Sequence, residues 1–130
     1  MNLPSEENVS IIAAITDQQI IQTRGVMLQL RPDISVDAYL PTVRRMMESD
    51  GYRLAAIVAQ DVVRAVAGYR YMEMLYCGKI MYVDDLNTDP QCRSKGYGKS
   101  LMDWLKNEAK MNGCGQLHLD TGVHLSLIHI

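Results

Sequence analysis

Phenylalanine is absent from the chain and tryptophan occurs once, so the interior has to be assembled from aliphatic side chains, seven tyrosines and nine methionines. Methionine is unbranched and adaptable, which suits an irregularly filled core. Cysteine is scarce as well. Cys77, Cys92 and Cys114 are odd in number and include no Cys-x-x-Cys spacing, which argues against a disulfide framework or a cysteine-based metal or redox pair. They read as free thiols in a reducing compartment, and a cytoplasmic location is expected. No run approaches the roughly 18 apolar residues of a membrane helix. Met1 to Glu7 lacks the basic start and apolar run of a secretory leader. No charge sign dominates: 13 basic against 15 acidic residues give a net charge of −2, which removes any global attraction to nucleic acid or anionic lipid. Any anion site must be local. His118, His124 and His129 have no carboxylate or cysteine companion at metal-ligand spacing, so no metal is expected.

What remains is an ordered composition, 48% hydrophobic and 22% charged over 130 residues, the size of one domain with one core. Ser10 to Ile15 reads as a strand that ends at Thr16, and Thr16 with Gln19 fits a capping box. A helix from Asp17 to Leu30 follows, with Ile20, Met27, Leu28 and Leu30 on its apolar stripe, Ile21 beside them, and Pro32 closing it. A second helix begins near Ser35, carries Val36, Tyr39, Leu40, Val43, Met46 and Met47 at helical intervals, and ends at Ser49-Asp50-Gly51. The period then changes. Tyr52–Ala59 and Val62–Leu75 form an antiparallel hairpin about Gln60-Asp61, and Lys79–Asn87 is its antiparallel neighbour. Pro90 ends the regular pairing. Leu101, Trp104, Leu105, Ala109 and Met111 then mark a helix that stops at Asn112-Gly113, and Gly115–Asp120 is a strand parallel to the previous one. The fold class is α+β: a mixed, mostly antiparallel sheet with flanking helices in the order β-α-α-β-β-β-α-β.

The stretch "RSKGYGKS", Arg93 to Ser100, matches a local anion site of the kind the charge balance allows. Its end, Gly98-Lys99-Ser100, matches the close of a nucleotide P-loop. A P-loop needs a glycine five positions earlier, however, and that position is Arg93. Such a loop also follows an early parallel strand, whereas this one follows a long meander. The better pattern is Arg93-x-x-Gly96-x-Gly98 feeding into a helix. Two glycines let the backbone approach a ligand, and the helix start offers unpaired amides and partial positive charge to a pyrophosphate. Arg93, Lys95 and Lys99 add to the local potential.

Taken together, "IMYVDDLNTDPQCRSKGYGKSLMDWLKNEA" resembles the acyl-coenzyme A signature of the GNAT superfamily of N-acetyltransferases. The likeness covers about the first 123 residues in element order and is most specific from Val83 to Leu101. It implies that Arg93, Ser94, Lys95, Gly96, Tyr97 and Gly98, with Lys99 and Ser100 behind them, hold the coenzyme pyrophosphate. It implies that backbone groups of Leu86, Asn87 and Thr88 pair with the pantetheine arm, and that the acetyl acceptor is chosen around Gln29 to Tyr39.

Acetyl transfer to an amine needs a base, because an ammonium has no lone pair to attack with. Asp84 or Asp85 is placed to serve, one of the two pointing inward unless a bulge re-aims them. The Leu86 amide is the expected oxyanion donor. Tyr69, Tyr71, Tyr76 and Tyr82 read as strand residues before acceptor walls. The expected activity is transfer of an acetyl group from acetyl-coenzyme A to a small-molecule amine or a peptide or protein amino group. The alternative is a silent acyl-coenzyme A-binding or partner-binding module.

Similar proteins continue past "QLHLDTG" into a fourth helix, often bearing a tyrosine acid, and two more strands. Here the chain reads "HLSLIHI" after Val123, and Leu125 to Ile130 looks like the translation of a sequencing adapter. Residues 1–123 are therefore expected to be an acetyltransferase-like domain lacking its C-terminal part, and 124–130 a non-native tail. An open edge on Gly115–Asp120 would favour poor solubility or a homodimer.

Overall fold

The computed structural model describes residues 9–120 and 125–130, so the expectations for Met1 to Glu7 and for His124 lie outside the described residues. Strand β1, Val9–Ala13, leads into a reciprocal cap: the Gln19 amide donates to Thr16 Oγ1 at 3.1 Å, and the Thr16 amide donates to Gln19 Oε1 at 3.0 Å. These bonds satisfy amides that a helix start leaves orphaned, and α1 runs from there over Asp17–Leu30. Its buried stripe is Ile20, Thr23, Val26 and Met27, a correction to the expected one. Ile21 is exposed, and Leu28 and Leu30 are only half-buried. The reason is Thr23, whose hydroxyl donates to the Ile20 carbonyl at 2.6 Å and shares a 2.8 Å hydrogen bond with Tyr39 OH. So partnered, a polar side chain can be buried, and the face that carries it turns inward.

Helix α2, Val36–Asp50, begins at Ser35, whose Oγ accepts from the Ala38 amide at 3.1 Å. It ends at Gly51 with φ +67°, a left-handed turn that glycine adopts without strain. Tyr39 and Val43 are buried, whereas Val36 lies exposed in the first turn.

The sheet has six strands in the order β1-β2-β3-β4-β5-β6, with β2 Arg53–Ala59, β3 Val62–Met74, β4 Gly78–Thr88, β5 Gln116–Asp120 and β6 Leu125–His129. Only β4 and β5 are parallel. Gln60 and Asp61 join β2 to β3 at φ +55° and +63°, the twist of a two-residue hairpin. Between β4 and β5 lie a 3-10 helix, Pro90–Lys95, and α3, Tyr97–Met111. The 3-10 helix was not foretold by periodicity; Asp89 Oδ1 caps it by accepting from the Gln91 amide at 3.0 Å, with Pro90 at its first position.

The helices cover opposite faces of the sheet. α1 and α2 pack over Leu54, Ala56, Val63 and Val66, and α3 packs Leu101, Leu105 and Ala109 over Ala55, Ile57, Met81, Val83 and Leu117. Burial on both sides explains why β2 and β3 read as continuous apolar runs instead of alternating. The tail residues Leu125–His129 pair antiparallel with β5, from Gln116↔His129 to Asp120↔Leu125, so the edge expected to be open on β5 is covered and the outer edge moves to β6. Among the described residues, no helix is long and apolar enough to cross a membrane.

Candidate active site

The register of β3 against β4 slips beside Gly68. Gly68 faces Asp85 and Tyr69 faces Val83, which leaves Asp84 as the extra residue of a bulge. Strict alternation would send Asp84 and Asp85 to opposite faces. The bulge instead brings both to one cleft of about 330 Å³ between α1, α2 and the sheet, so the expectation of a single inward carboxylate gives way to its stated exception.

Each carboxylate is held differently. Asp85 is buried, and its Oδ1 accepts from Arg31 Nε at 2.7 Å while its Oδ2 accepts from Tyr52 OH at 2.7 Å. Arg31 Nη2 also donates to the Asp84 carbonyl at 2.8 Å. The Asp84 carboxylate is gripped by Arg70, with Nε to Oδ1 at 3.1 Å and Nη2 to Oδ2 at 2.7 Å. Burial nevertheless lifts the Asp84 carboxyl above the usual aspartate range, with Arg70 pulling the other way. Burial beside Asp85 likewise pushes the Tyr52 phenol well up, which keeps its proton available for donation. Tyr82 donates to Asp120 Oδ2 at 2.8 Å, and that bond raises the Tyr82 phenol.

A second feature opens beside this cleft. Parallel pairing of β4 with β5 ends at Val83↔Leu119, and β4 continues without β5 through Thr88. A gap of about 200 Å³ lies there, lined by Leu30, Arg31, Asp84, Leu86, Leu119 and Asp120. Asn87 turns its side chain to α1, where Nδ2 donates to the Val26 carbonyl at 3.1 Å and to Gln29 Oε1 at 3.2 Å. Thr88 sits under the loop: a Cβ on Gly98 would lie 3.2 Å from Thr88 Oγ1.

The loop itself enters α3 through Gly96 at φ +78°, and this helix start has no side-chain cap. Arg93, Ser94, Lys95, Lys99 and Ser100 are exposed around it. Arg93 Nε donates to the Thr88 carbonyl at 3.4 Å, and Lys99 pairs with Asp103 at 2.9 Å. A cavity of about 580 Å³ adjoins the loop, lined by Lys95, Tyr97 and Ser100 together with Val9, Gln60, Arg64 and Cys92.

Several of these residues escape a reading of the sequence. Arg31, Tyr52, Arg70 and Asp120 belong to no local motif and come together around Asp84 and Asp85 only through the fold, and Arg64 reaches the cavity beside the loop in the same way. Gly68 was the available signal, because a glycine inside an apolar strand marks a bulge or a close approach. Of the four tyrosines, Tyr69 packs edge-on against Tyr71 and Trp104 on the α3 face, and Tyr76 is exposed. Tyr82 alone of the four lines the 330 Å³ cleft, so at that position the strand-residue expectation is incomplete. His118 is buried with Nε2 2.9 Å from Gln116 Oε1, His129 is exposed, and the described residues contain no cluster of three or more potential metal ligands.

Comparison with known proteins agrees with this architecture. Residues 24–127 match the model of the acetyltransferase (GNAT) family. An uncharacterised N-acetyltransferase of Bacillus subtilis, YhdJ, is 30% identical over 104 residues, 80% of this chain and 73% of the relative. Among solved structures, a GNAT family acetyltransferase of Staphylococcus aureus superposes with a TM-score of 0.75 at 16% identity, covering 88% of this chain and 87% of that one. The aminoglycoside N-acetyltransferase AAC(6')-Iy in complex with CoA gives 0.74 at 20% identity, covering 87% and 76%. At such identities the structural likeness is one of fold, whereas the family match spans most of the sequence: the chain belongs to the acetyltransferase (GNAT) family.

Proposed function

We propose that the chain transfers an acetyl group from acetyl-coenzyme A to a primary amine. The observation that carries this reading is the parting of β4 from β5 beyond Val83, on the stretch that leads through the 3-10 helix to the glycine-bearing start of α3. On that side, the backbone of Leu86, Asn87 and Thr88 is an edge to which the pantetheine arm can add as a strand. Amides of the uncapped helix start, with Lys95 and Ser100 beside them, suit the pyrophosphate. Arg93 and Lys99 add to the same local potential, and Ser94, Gly96, Tyr97 and Gly98 complete the bend.

Acetyl-coenzyme A supplies the activated thioester. The amine enters from the 330 Å³ cleft, to which the acceptor segment Gln29 to Tyr39 contributes Arg31, Ile34 and Tyr39. Asp84 lines both this cleft and the gap beside Leu86. Its raised affinity for protons suits it to take one from the incoming ammonium, directly or through a water. Asp85, with both oxygens already bonded, orients the bulge. The Leu86 amide is assigned to the charge that develops on the thioester oxygen. Three unpaired cysteines fit a reducing, cytoplasmic setting.

Calorimetry with acetyl-coenzyme A, followed by a thiol-release assay with amines, tests the reading. Binding with amine-dependent release supports it. Binding without release from any amine leaves a silent acyl-coenzyme A module, and no binding overturns both.

A further inference from the structure

Arg70, on β3, stands between two carboxylates from different parts of the fold. One edge of its guanidinium faces Asp84, with Nε donating to Oδ1 at 3.1 Å and Nη2 to Oδ2 at 2.7 Å. On the other edge, Nη1 lies 4.0 Å from Oδ2 of Asp50, the last residue of α2. The Tyr52 ring covers the arginine face, 5.4 Å from the guanidinium carbon, and Tyr52 is itself tied to Asp85. The cation is well shielded, its side chain 19% exposed, whereas Asp50 is 58% exposed. Around Asp84, the other charged or titratable groups are Asp85 and Tyr82 on β4, Arg31 from the end of α1, Tyr52 just before β2 and Asp120 from β5. Arg31 reaches only the Asp84 backbone, so among the described residues Arg70 alone forms an ion pair with the Asp84 carboxylate.

We propose that Arg70 is the positioning residue of the base and is shared between two carboxylates: it aims Asp84 while Asp84 is ionised, and Asp50 balances its charge once Asp84 has accepted a proton. The catalytic sense of this rests on the acetyltransferase reading, in which the proton leaves the substrate ammonium, stays on an Asp84 oxygen and frees the nitrogen lone pair. The sharing itself involves only the chain's own groups. Each Asp84 oxygen keeps a further lone pair beside the arginine fork, so the grip fixes its aim without barring the proton. Protonation, however, weakens the claim of Asp84 on Arg70, and a shielded cation without a counter-charge is unfavourable. Asp50 on the opposite edge removes that obstacle. Burial works against the Arg70 charge, and Asp84 followed by Asp50 outweighs it, which agrees with one cation serving both.

The test is a set of NMR titrations on the full chain, carbon-13-labelled at the aspartate side-chain carboxyls, which need no substrate. Asp84→Asn identifies the Asp84 signal by its loss. Arg70→Gln is expected to move the Asp84 midpoint up by about one pH unit, because the neighbouring cation is gone. Asp50→Asn is expected to move it down by about 0.3, because Arg70 then serves Asp84 alone, and the change is small because Asp50 is largely in solvent. In the Arg70→Gln background, Asp50→Asn should have no effect beyond about 0.1. A midpoint that stays put in either single variant overturns the proposal. So does an Asp50→Asn effect that persists undiminished without Arg70, since Asp50 would then act on Asp84 directly. Should Arg70→Gln not fold, the exposed Asp50→Asn decides alone: a lowered midpoint supports the sharing, and an unmoved or raised one overturns it. Failure to bind acetyl-coenzyme A in calorimetry removes the acetyltransferase reading without altering these titrations, so the two failures are told apart.

Discussion

Tyr52 reaches Asp85 by passing directly over Gly68: a Cβ built on Gly68 would lie 1.7 Å from the Tyr52 hydroxyl oxygen and 2.4 Å from its ring carbon Cζ. Glycine in the middle of β3 is therefore a requirement of the site, and it sits where the bulge begins. Gly68→Ala should displace the whole ring and destabilise the protein by about 1–3 kcal/mol, the range for forced overpacking. Tyr52→Phe leaves Asp85 Oδ2 without its donor, which costs about 1–3 kcal/mol for a buried acceptor. Because the ring carbon also clashes, Tyr52→Phe should not rescue Gly68→Ala. Thermal melts of the two single variants and the double variant decide this, and rescue would contradict the geometry.

The raised Asp84 carboxyl makes a pH prediction whose sign is fixed. A folded-state value above the ordinary one means that the native protein holds this proton more readily than the unfolded chain. The associated stability is complete below the ordinary aspartate range and is lost as pH rises through the raised value. If Asp84 is the base, activity has the opposite dependence, falling as pH drops through that same value. The acid limb of kcat/KM should therefore lie above the ordinary aspartate range. Asp84→Asn should abolish that limb and lower kcat by about 100-fold or more, the usual contribution of a positioned base. An unchanged limb in this variant assigns proton transfer elsewhere.

The two loop glycines should separate by mechanism. At Gly96 there is open space around an added Cβ, but φ is +78°, so Gly96→Ala is strained by its backbone and should cost about 1–2 kcal/mol. At Gly98 the backbone is unstrained, and the nearest obstacle is Thr88 Oγ1 at 3.2 Å. Gly98→Val should leave the melting temperature within a few degrees and weaken acetyl-coenzyme A binding at least about 10-fold, because the bulk enters the space where a ligand must approach the helix amides. Retention of full affinity in Gly98→Val would remove the pyrophosphate assignment.

The parts of this fold that obey short-range rules were legible in the residues. Thr16 with Gln19, Ser35, Gly51, the Gln60-Asp61 turn and the Asn112-Gly113 stop all act within a few positions of themselves, and the elements fall where those signals place them. Gly96 and Gly98 belong to the same class. The α1 stripe was right at Ile20 and Met27 but missed Thr23, whose burial depends in part on Tyr39, sixteen residues away. The candidate site was legible only as the Asp84-Asp85 pair and the loop. Its tethers, Arg31 to Asp85 and Tyr52 to Asp85, span 54 and 33 residues, beyond the reach of any periodicity. The bulge was announced by Gly68, but its consequence depends on the register of two strands.

Arg31 ends α1 in a non-helical conformation, with its amide donating to the Met27 carbonyl at 2.9 Å, and its side chain bridges to the bulge through two donors. The end of α1 and the carboxylates are thereby tied together. Lysine keeps the charge at this position but cannot reproduce a planar fork that meets Asp85 Oδ1 and the Asp84 carbonyl together. Arg31→Lys should therefore lower kcat about 10-fold with KM for acetyl-coenzyme A changed less than about 2-fold, since the Arg93–Ser100 loop is untouched. A contribution confined to folding would lower the melting temperature and leave the kcat of the folded fraction unchanged. Steady-state kinetics on material corrected for folded fraction separates the two, and an unaltered kcat would reduce Arg31 to a surface tether.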